Sequence, residues 1–383
     1  MRVLLGCFIL LFLVACGHSD SVSGEKQKET LGFLGNKVVF SHVVGRDTPK
    51  GKGAILLKDR ISEQKLLFYG ELQIYPDSLL FNDTKVMEAL EKDKVQLAAP
   101  SISKLVEFNP KLKIFDFPFL FKDLEEVEQF YSNPEVKKKL FYQDEEGINY
   151  LDKDKHYVVL SLWHGGMKQL SSSKNIELTS SKPLEYLKFR IQSSEILKLT
   201  FEALGAEPVI ENNFKKVRQQ LQKNELDGQE NTWSNIYTEE YHKDGVQKYF
   251  IETNHGYLGY LLITNKNFWN ELKEGKNYND IWKTQIDEVT KEVKILANKS
   301  NKNAKETIKE EQIRKKEEQI RKLDNKPREQ WCETIYSTAQ AQKWKEFTKE
   351  IEELILAAIE GKTGCPFSYL KRILDQSKFK PSR

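Results

Sequence analysis

A few polar side chains stand where surface solvation does not explain them. Arg190 lies inside the apolar strand pattern Leu187-Lys-Phe-Arg-Ile191. A guanidinium there serves either a structural ion pair or the two-pronged grip of a carboxylate, for which its parallel N–H groups are suited. Lys50 follows Thr48-Pro49, a helix-start signal, so it falls in a helix's first turn. A lysine there opposes the helix dipole and does nothing for helix stability, while the same turn offers free backbone N–H groups to an anion. Ser101 follows the short apolar run Val95–Ala99, at a strand's C-terminal end, where open α/β sheets bind ligands. Lys168, in Gly-Met-Lys-Gln, is by itself either a solvated lysine or a further cation for an anion.

Catalytic motifs are missing from the sequence. The six histidines (18, 42, 156, 164, 242, 255) form no HExxH and no Cys/His cluster, so no metal site is indicated. A P-loop after Gly45 would need glycine where Lys50 stands. Gly51 and Gly53 lack a third glycine, and there is no GxSxG elbow. Nothing calls for a cofactor. With 60 Lys+Arg against 57 Asp+Glu, the net charge of +3 does not suit a nucleic-acid binder.

Short apolar runs alternate with helical spacing from residue 37 onward. Strands are predicted at 37–42, 66–75, 95–99, 157–162, 187–192, 249–252 and 260–263, with helices at 50–64, 84–92, 194–205 and 214–223. That rhythm predicts an α/β fold of two lobes, with the chain crossing between them more than once. A two-lobed chain without catalytic motifs suggests a ligand held in the crevice. Residues 291–330 carry thirteen Lys/Arg and eight Asp/Glu and hold a direct repeat, Glu310–Lys315 and Glu317–Lys322, with a period of seven. Ile313 and Ile320 would share one helix face, that of a solvated helix lengthened by duplication. A second helical pattern covers 328–360, and the tail 361–383 is expected to pack weakly.

The N-terminus differs from the rest. Arg2 precedes an uncharged run, Val3–Ala15, too short to span a bilayer, ending in Leu13-Val-Ala-Cys-Gly17. This reads as a signal peptide over 1–15 with lipidation at Cys16, and 16–36 as a flexible tether. Cys7 leaves with the signal. Cys332 and Cys365 could pair in an oxidising compartment, though no framework pattern requires it.

Nine stretches, in order over roughly residues 37 to 290, carry a family resemblance. They are Phe40–Gly53 (FSHVVGRDTPKGKG), Ile74–Ser78 (IYPDS), Ala98–Lys104 (AAPSISK), Phe115–Phe121 (FDFPFLF), Gly165–Leu170 (GGMKQL), Leu187–Ser194 (LKFRIQSS), Ala203–Ala206 (ALGA), Asp227–Tyr237 (DGQENTWSNIY) and Asn254–Tyr260 (NHGYLGY). The chain resembles the substrate-binding proteins of tripartite ATP-independent periplasmic (TRAP) transporters, in the DctP-like branch that takes four-carbon dicarboxylates. The resemblance implies a periplasmic-binding-protein-like fold of two α/β lobes with a hinge and a long bracing helix. It implies capture of a small organic dicarboxylate such as succinate, fumarate or malate, lobe closure, and delivery to a membrane permease, with no catalysis. It places the carboxylate-clamping arginine at Arg190, with Lys168 and Lys50 as further cations, Ser101 and Asn231 as polar contacts, and Trp233, Tyr75 and His255 as walls. Phe115–Phe121 is packing.

The expected organisation is residues 37–160 with 254–290 as the first lobe, and 161–253 with 291–360, including the long charged helix, as the second. Departures from the family pattern are Gly165 where asparagine is expected, apparent loop insertions at Asn212-Asn213 and Asp244-Gly245, the heptad duplication, the long tail, and the lipid itself. Gly17 leaves the membrane, inner or outer, open. Alternative readings are a binding protein for another organic acid, or a ligand-sensing lipoprotein docking on a membrane sensor through residues 300–326.

Overall fold

The alternation of strand and helix patterns closes into one mixed sheet flanked by helices, seen in a computed structural model that describes residues 37–63, 71–274, 278–317 and 320–378. The signal, the tether and Cys16 lie outside these residues. The first lobe begins with β1 (Lys37–Ser41), α1 (Pro49–Glu63), β2 (Glu71–Tyr75), α2 (Val86–Glu91), β3 (Leu97–Ala98) and α3 (Ile102–Leu105). A 3-10 segment, Pro110–Asp116, leads to α4 (Leu124–Ser132), α5 (Pro134–Leu140) and the small pair β4 (Tyr142–Gln143) and β5 (Asn149–Tyr150). After β6 (Tyr157–Ser172), the second lobe adds β7 (Lys188–Ile191), α6 (Glu195–Ala203), β8 (Glu207–Ile210), α7 (Phe214–Gln222), β9 (Gly228–Asn231) and α8 (Trp233–Thr238). Then follow β10 (Tyr249–Asn265), α9 (Lys266–Glu274), α10 (Tyr278–Lys315), β11 (Arg321–Lys322), α11 (Asn325–Ile335), α12 (Ala341–Thr348), α13 (Glu352–Ile359) and α14 (Phe367–Lys378).

The strand order is β2-β1-β3-β10-β6-β9-β7-β8. β6 and β10 pair antiparallel along their length, from Tyr157↔Asn265 to Ser172↔Tyr249. β3 joins this ribbon at Ile263 and Thr264, near one end. β9 joins it at Gln169–Ser172, near the other. The two parallel strand groups, β2-β1-β3 and β9-β7-β8, are therefore linked through the ribbon. The predicted strands 249–252 and 260–263 are one strand of 17 residues, and 157–162 extends to Ser172. Gly165-Gly166 and His255-Gly256 read as breaks because glycine lacks a side chain to show alternation. Here they mark register shifts and close approaches instead. At Gly166 (φ 141°) an added Cβ would lie 2.5 Å from Asn301 Nδ2.

α10 spans 38 residues, roughly 57 Å at the helical rise, and packs on α1, β6, α8 and α9. Trp282, Ile286, Val289, Val293, Ala297, Ala304 and Ile308 form its narrow buried stripe, explaining its otherwise polar sequence. The Trp163 indole donates to Thr290 Oγ1 at 3.1 Å. The expected boundary at 290/291 falls inside this unbroken helix, so α10 serves both lobes.

Three expectations for the C-terminal part are corrected. The repeat does not continue one helix: α10 ends at Lys315, Lys316 has φ 54°, and the second copy reaches β11, which pairs with Ile251 and Glu252. Ile313 is half exposed, while Ile320 packs beside Val217 and Phe250. The pattern over 328–360 is three helices rather than one. The tail also packs: Leu370, Ile373 and Leu374 bury one face of α14, and Cys365 is disulfide-bonded to Cys332 of α11. These helices cover both parts of the molecule, since Tyr336 donates to Pro118 O at 3.0 Å and Trp331 Nε1 to Leu178 O at 2.9 Å. Phe115, Phe117, Phe119 and Phe121 are buried in the adjoining core, as their sequence indicates.

Candidate functional site

α1 starts as its sequence dictates, with Pro49 at the first position and Thr48 Oγ1 accepting from Gly51 N at 3.1 Å. This turn directs Lys50 inward, where it is fully buried. Its Nζ donates to Ala99 O at 2.9 Å and lies 3.8 Å from the ring centroid of Tyr260. Burial pushes Lys50 down to about 8; Asp83 opposes the fall and Lys104 adds to it.

Arg190 occupies β7 between β8 and β9, with Val209 and Gln229 as register partners. Its Nε donates to Glu211 O at 2.7 Å, and the guanidinium lies 5.4 Å from the Phe214 ring centroid. It is 1% exposed. No carboxylate forms an ion pair with Arg190 or with Lys50 among the described residues.

Tyr260 connects the two sides. Its hydroxyl meets the Asn235 side chain of α8, while Lys50 rests on its ring. Asn235 Nδ2 in turn donates to Asn231 Oδ1 at 2.8 Å, placing Asn231 behind the cleft wall. Glu239, at the end of α8, is within electrostatic reach of Tyr260 and of Arg190. Burial first, then Asp77, pushes Glu239 up to about 7, and Arg190 pulls the other way. Around these groups, Ser41 Oγ, Ser101 Oγ and Tyr241 Oη are buried without a hydrogen-bond partner among the described residues. Burial and Lys50 depress His42 to about 3, so its ring is neutral. Each such orphan group costs about 1–3 kcal/mol unless something satisfies it.

Lys50 and Ser101 thus share the surroundings of Asp83, Asn231 is tied to Tyr260 through Asn235, and Arg190 is within electrostatic reach of Glu239, while Trp233 packs in the core with Val217, Ile236, Tyr241 and Phe250. Lys168 instead joins an adjacent buried network. Its Nζ is 3.0 Å from Glu230 Oε2, with both side chains almost wholly buried, so its charge already has a partner. His255 belongs there as well: Nδ1 and Thr253 Oγ1 are 2.7 Å apart, and burial, then Lys168 and Arg328, hold the ring near 3. Asp116, raised by burial, accepts from Ser103 Oγ at 2.7 Å in the same network. Tyr75 donates to Gln73 Oε1 at 3.1 Å on β2, and no contact links it to the two cations. Sequence reasoning missed His42, Asp83, Asn235, Glu239 and Tyr260. Asp83 and Glu239, in a loop and at the end of α8, gave no local signal, while His42 and Asn235 lay inside the stretches Phe40–Gly53 and Asp227–Tyr237 without being singled out. Tyr260 began a predicted strand, 260–263, and ended the stretch Asn254–Tyr260, and was given no role in the site.

With its sheet divided around a two-strand ribbon and buried cations on both sides of the division, the chain has the build of a two-lobed solute-binding protein. Residues 40–359 match the family described as bacterial extracellular solute-binding protein, family 7, and the chain belongs to that family. The C4-dicarboxylate-binding periplasmic protein DctP of Vibrio cholerae is 36% identical over 326 residues, 84% of this chain and 90% of that protein. A TRAP periplasmic solute-binding protein from Shewanella oneidensis, solved with bound succinate, superposes with a TM-score of 0.73 at 32% identity, over 84% of this chain and 97% of its own. One from Pseudomonas aeruginosa with bound L-malate gives 0.65 at 33% identity, over 78% and 97%. The family comprises transport proteins that bind substrates and is not a class of enzymes. No helix among the described residues is long and apolar enough to cross a membrane.

Proposed function

We propose that this protein captures four-carbon dicarboxylates such as succinate, fumarate or malate between its lobes and delivers them to a TRAP membrane permease. The observation that carries this reading is the pair of buried cations, Lys50 and Arg190, one on each side of the ribbon and neither ion-paired with a carboxylate among the described residues. A buried charge without a counter-ion is costly, and a short diacid supplies one carboxylate to each. Arg190 suits a two-pronged grip on one carboxylate, and Lys50 with Ser101 and His42 suits the other. The acids held by the succinate- and malate-bound relatives agree with this chemistry.

The apolar run ending at Cys16 supports export and a lipid tether, so the protein would work in the periplasm on the inner or outer membrane. No nucleic acid or cofactor enters this reading. Calorimetric titration with succinate tests it. The wild type is expected to bind, and Arg190→Ala to lose detectable binding, because one carboxylate would be left unpaired. Retention of wild-type affinity within a few-fold in Arg190→Ala would remove that residue from the site.

A further inference from the structure

A fixed negative charge stands at the Lys50 end of the cleft. Asp83, in the loop before α2, is 5% exposed. Its Oδ2 accepts from Ser101 N at 3.4 Å and lies 3.3 Å from Lys104 Nζ. Lys50, His42 and Tyr260 are all within its electrostatic reach. Burial alone would raise Asp83, but Lys104, Lys50 and the Ser101 N–H outweigh it and hold the carboxyl below its ordinary range. The side chain is thus ionised at neutral pH, inside a site whose other features favour anions.

Space does not limit what this end can take. A cavity of about 600 Å³ opens beside Asp83, lined by Ser103 and Lys104 on one side and Ser194, Ile210 and Asn212 on the other. That volume would accommodate ligands far larger than a four-carbon diacid. Charge does set a limit. Asp83, Glu107 and Glu195 stand against Lys104, Lys113 and Lys198 around this cavity, so its lining carries no excess of positive charge to hold a third carboxylate.

We propose that Asp83 is a charge filter, which admits dianions and rejects acids whose third carboxylate would project into the cavity beside it. The inference rests on the dicarboxylate reading above. The test measures affinities for succinate and for tricarballylate, a diacid backbone with a third carboxylate, at a pH where all carboxyls are ionised. The wild type should prefer succinate. Asp83→Asn, nearly the same shape without the charge, should narrow that preference at least tenfold, and Asp83→Ser should do the same. Asp83→Glu, which keeps the charge, should retain it. A merely structural role would weaken both ligands together and leave the ratio unmoved. A ratio within threefold of wild type in both neutral variants, or a wild type that binds both acids equally, overturns the filter. A wild type that binds neither acid overturns the dicarboxylate reading instead.

Discussion

Lys50 is held in a position that costs the folded chain stability. Its folded pKa of about 8 lies below the ordinary 10.5, so between these values the unfolded chain binds more protons and stability rises with pH. The charged form below pH 8 therefore weakens the fold, on the order of 3 kcal/mol by linkage. A bound dianion reverses the balance by favouring the ammonium. Succinate affinity should fall above about pH 8, by up to tenfold per pH unit. Binding above pH 8 should take up a proton. In Lys50→Met this pH dependence should vanish, while the ligand-free melting temperature rises and succinate affinity drops. Calorimetry in buffers of different ionisation enthalpy, with thermal melts from pH 7 to 10, checks all three. Lys168 contrasts with it, because the Glu230 carboxylate already faces its ammonium. The difference between the two lysines was invisible in the chain: Glu230 is 62 positions from Lys168, and only the pairing of β6 with β9 brings them together. Arg190 was easier to single out, since a charge within an apolar strand needs only local pattern to be noticed.

Elements that looked peripheral carry much of the second layer. The Cys332–Cys365 disulfide ties α11 to the segment just before α14 and closes a separation of 33 residues. A loop of that length is worth about 3–4 kcal/mol in the chain-entropy account. Replacing both cysteines by serine should lower urea stability by about that amount, and reductant should do the same to the wild type. Succinate affinity should change little, because neither cysteine borders the cleft. The strands and helices of the parallel groups were legible from periodicity because each side faces a different environment. The ribbon was not, since β6 and β10 are buried on both faces and interrupted by glycine, which removes the alternation that reveals a strand. The tail was expected to pack weakly, although Leu370, Ile373 and Leu374 have helical spacing.

In the whole molecule, α10 and the ribbon meet at Asn301. Its Nδ2 donates to Gly165 O at 2.8 Å, and its Oδ1 accepts from Ser234 N at 3.0 Å, at the start of α8. One side chain thus fastens the ribbon and the helix bearing Asn235 to the brace. Removing it should bias the lobes toward separation without altering any group proposed to face the ligand. Asn301→Ala should raise the succinate concentration at which X-ray scattering shows contraction by about three- to tenfold, the value of one or two such bonds. An unchanged midpoint would show that the brace does not bear on closure.

The burial of Lys50 and Arg190 also bears on time. A molecule clasped between side chains that solvent does not reach has no route of escape while the lobes stay together. Its residence would then be set by how often they part, and a receiving permease would obtain its cargo by prising rather than by competing for it.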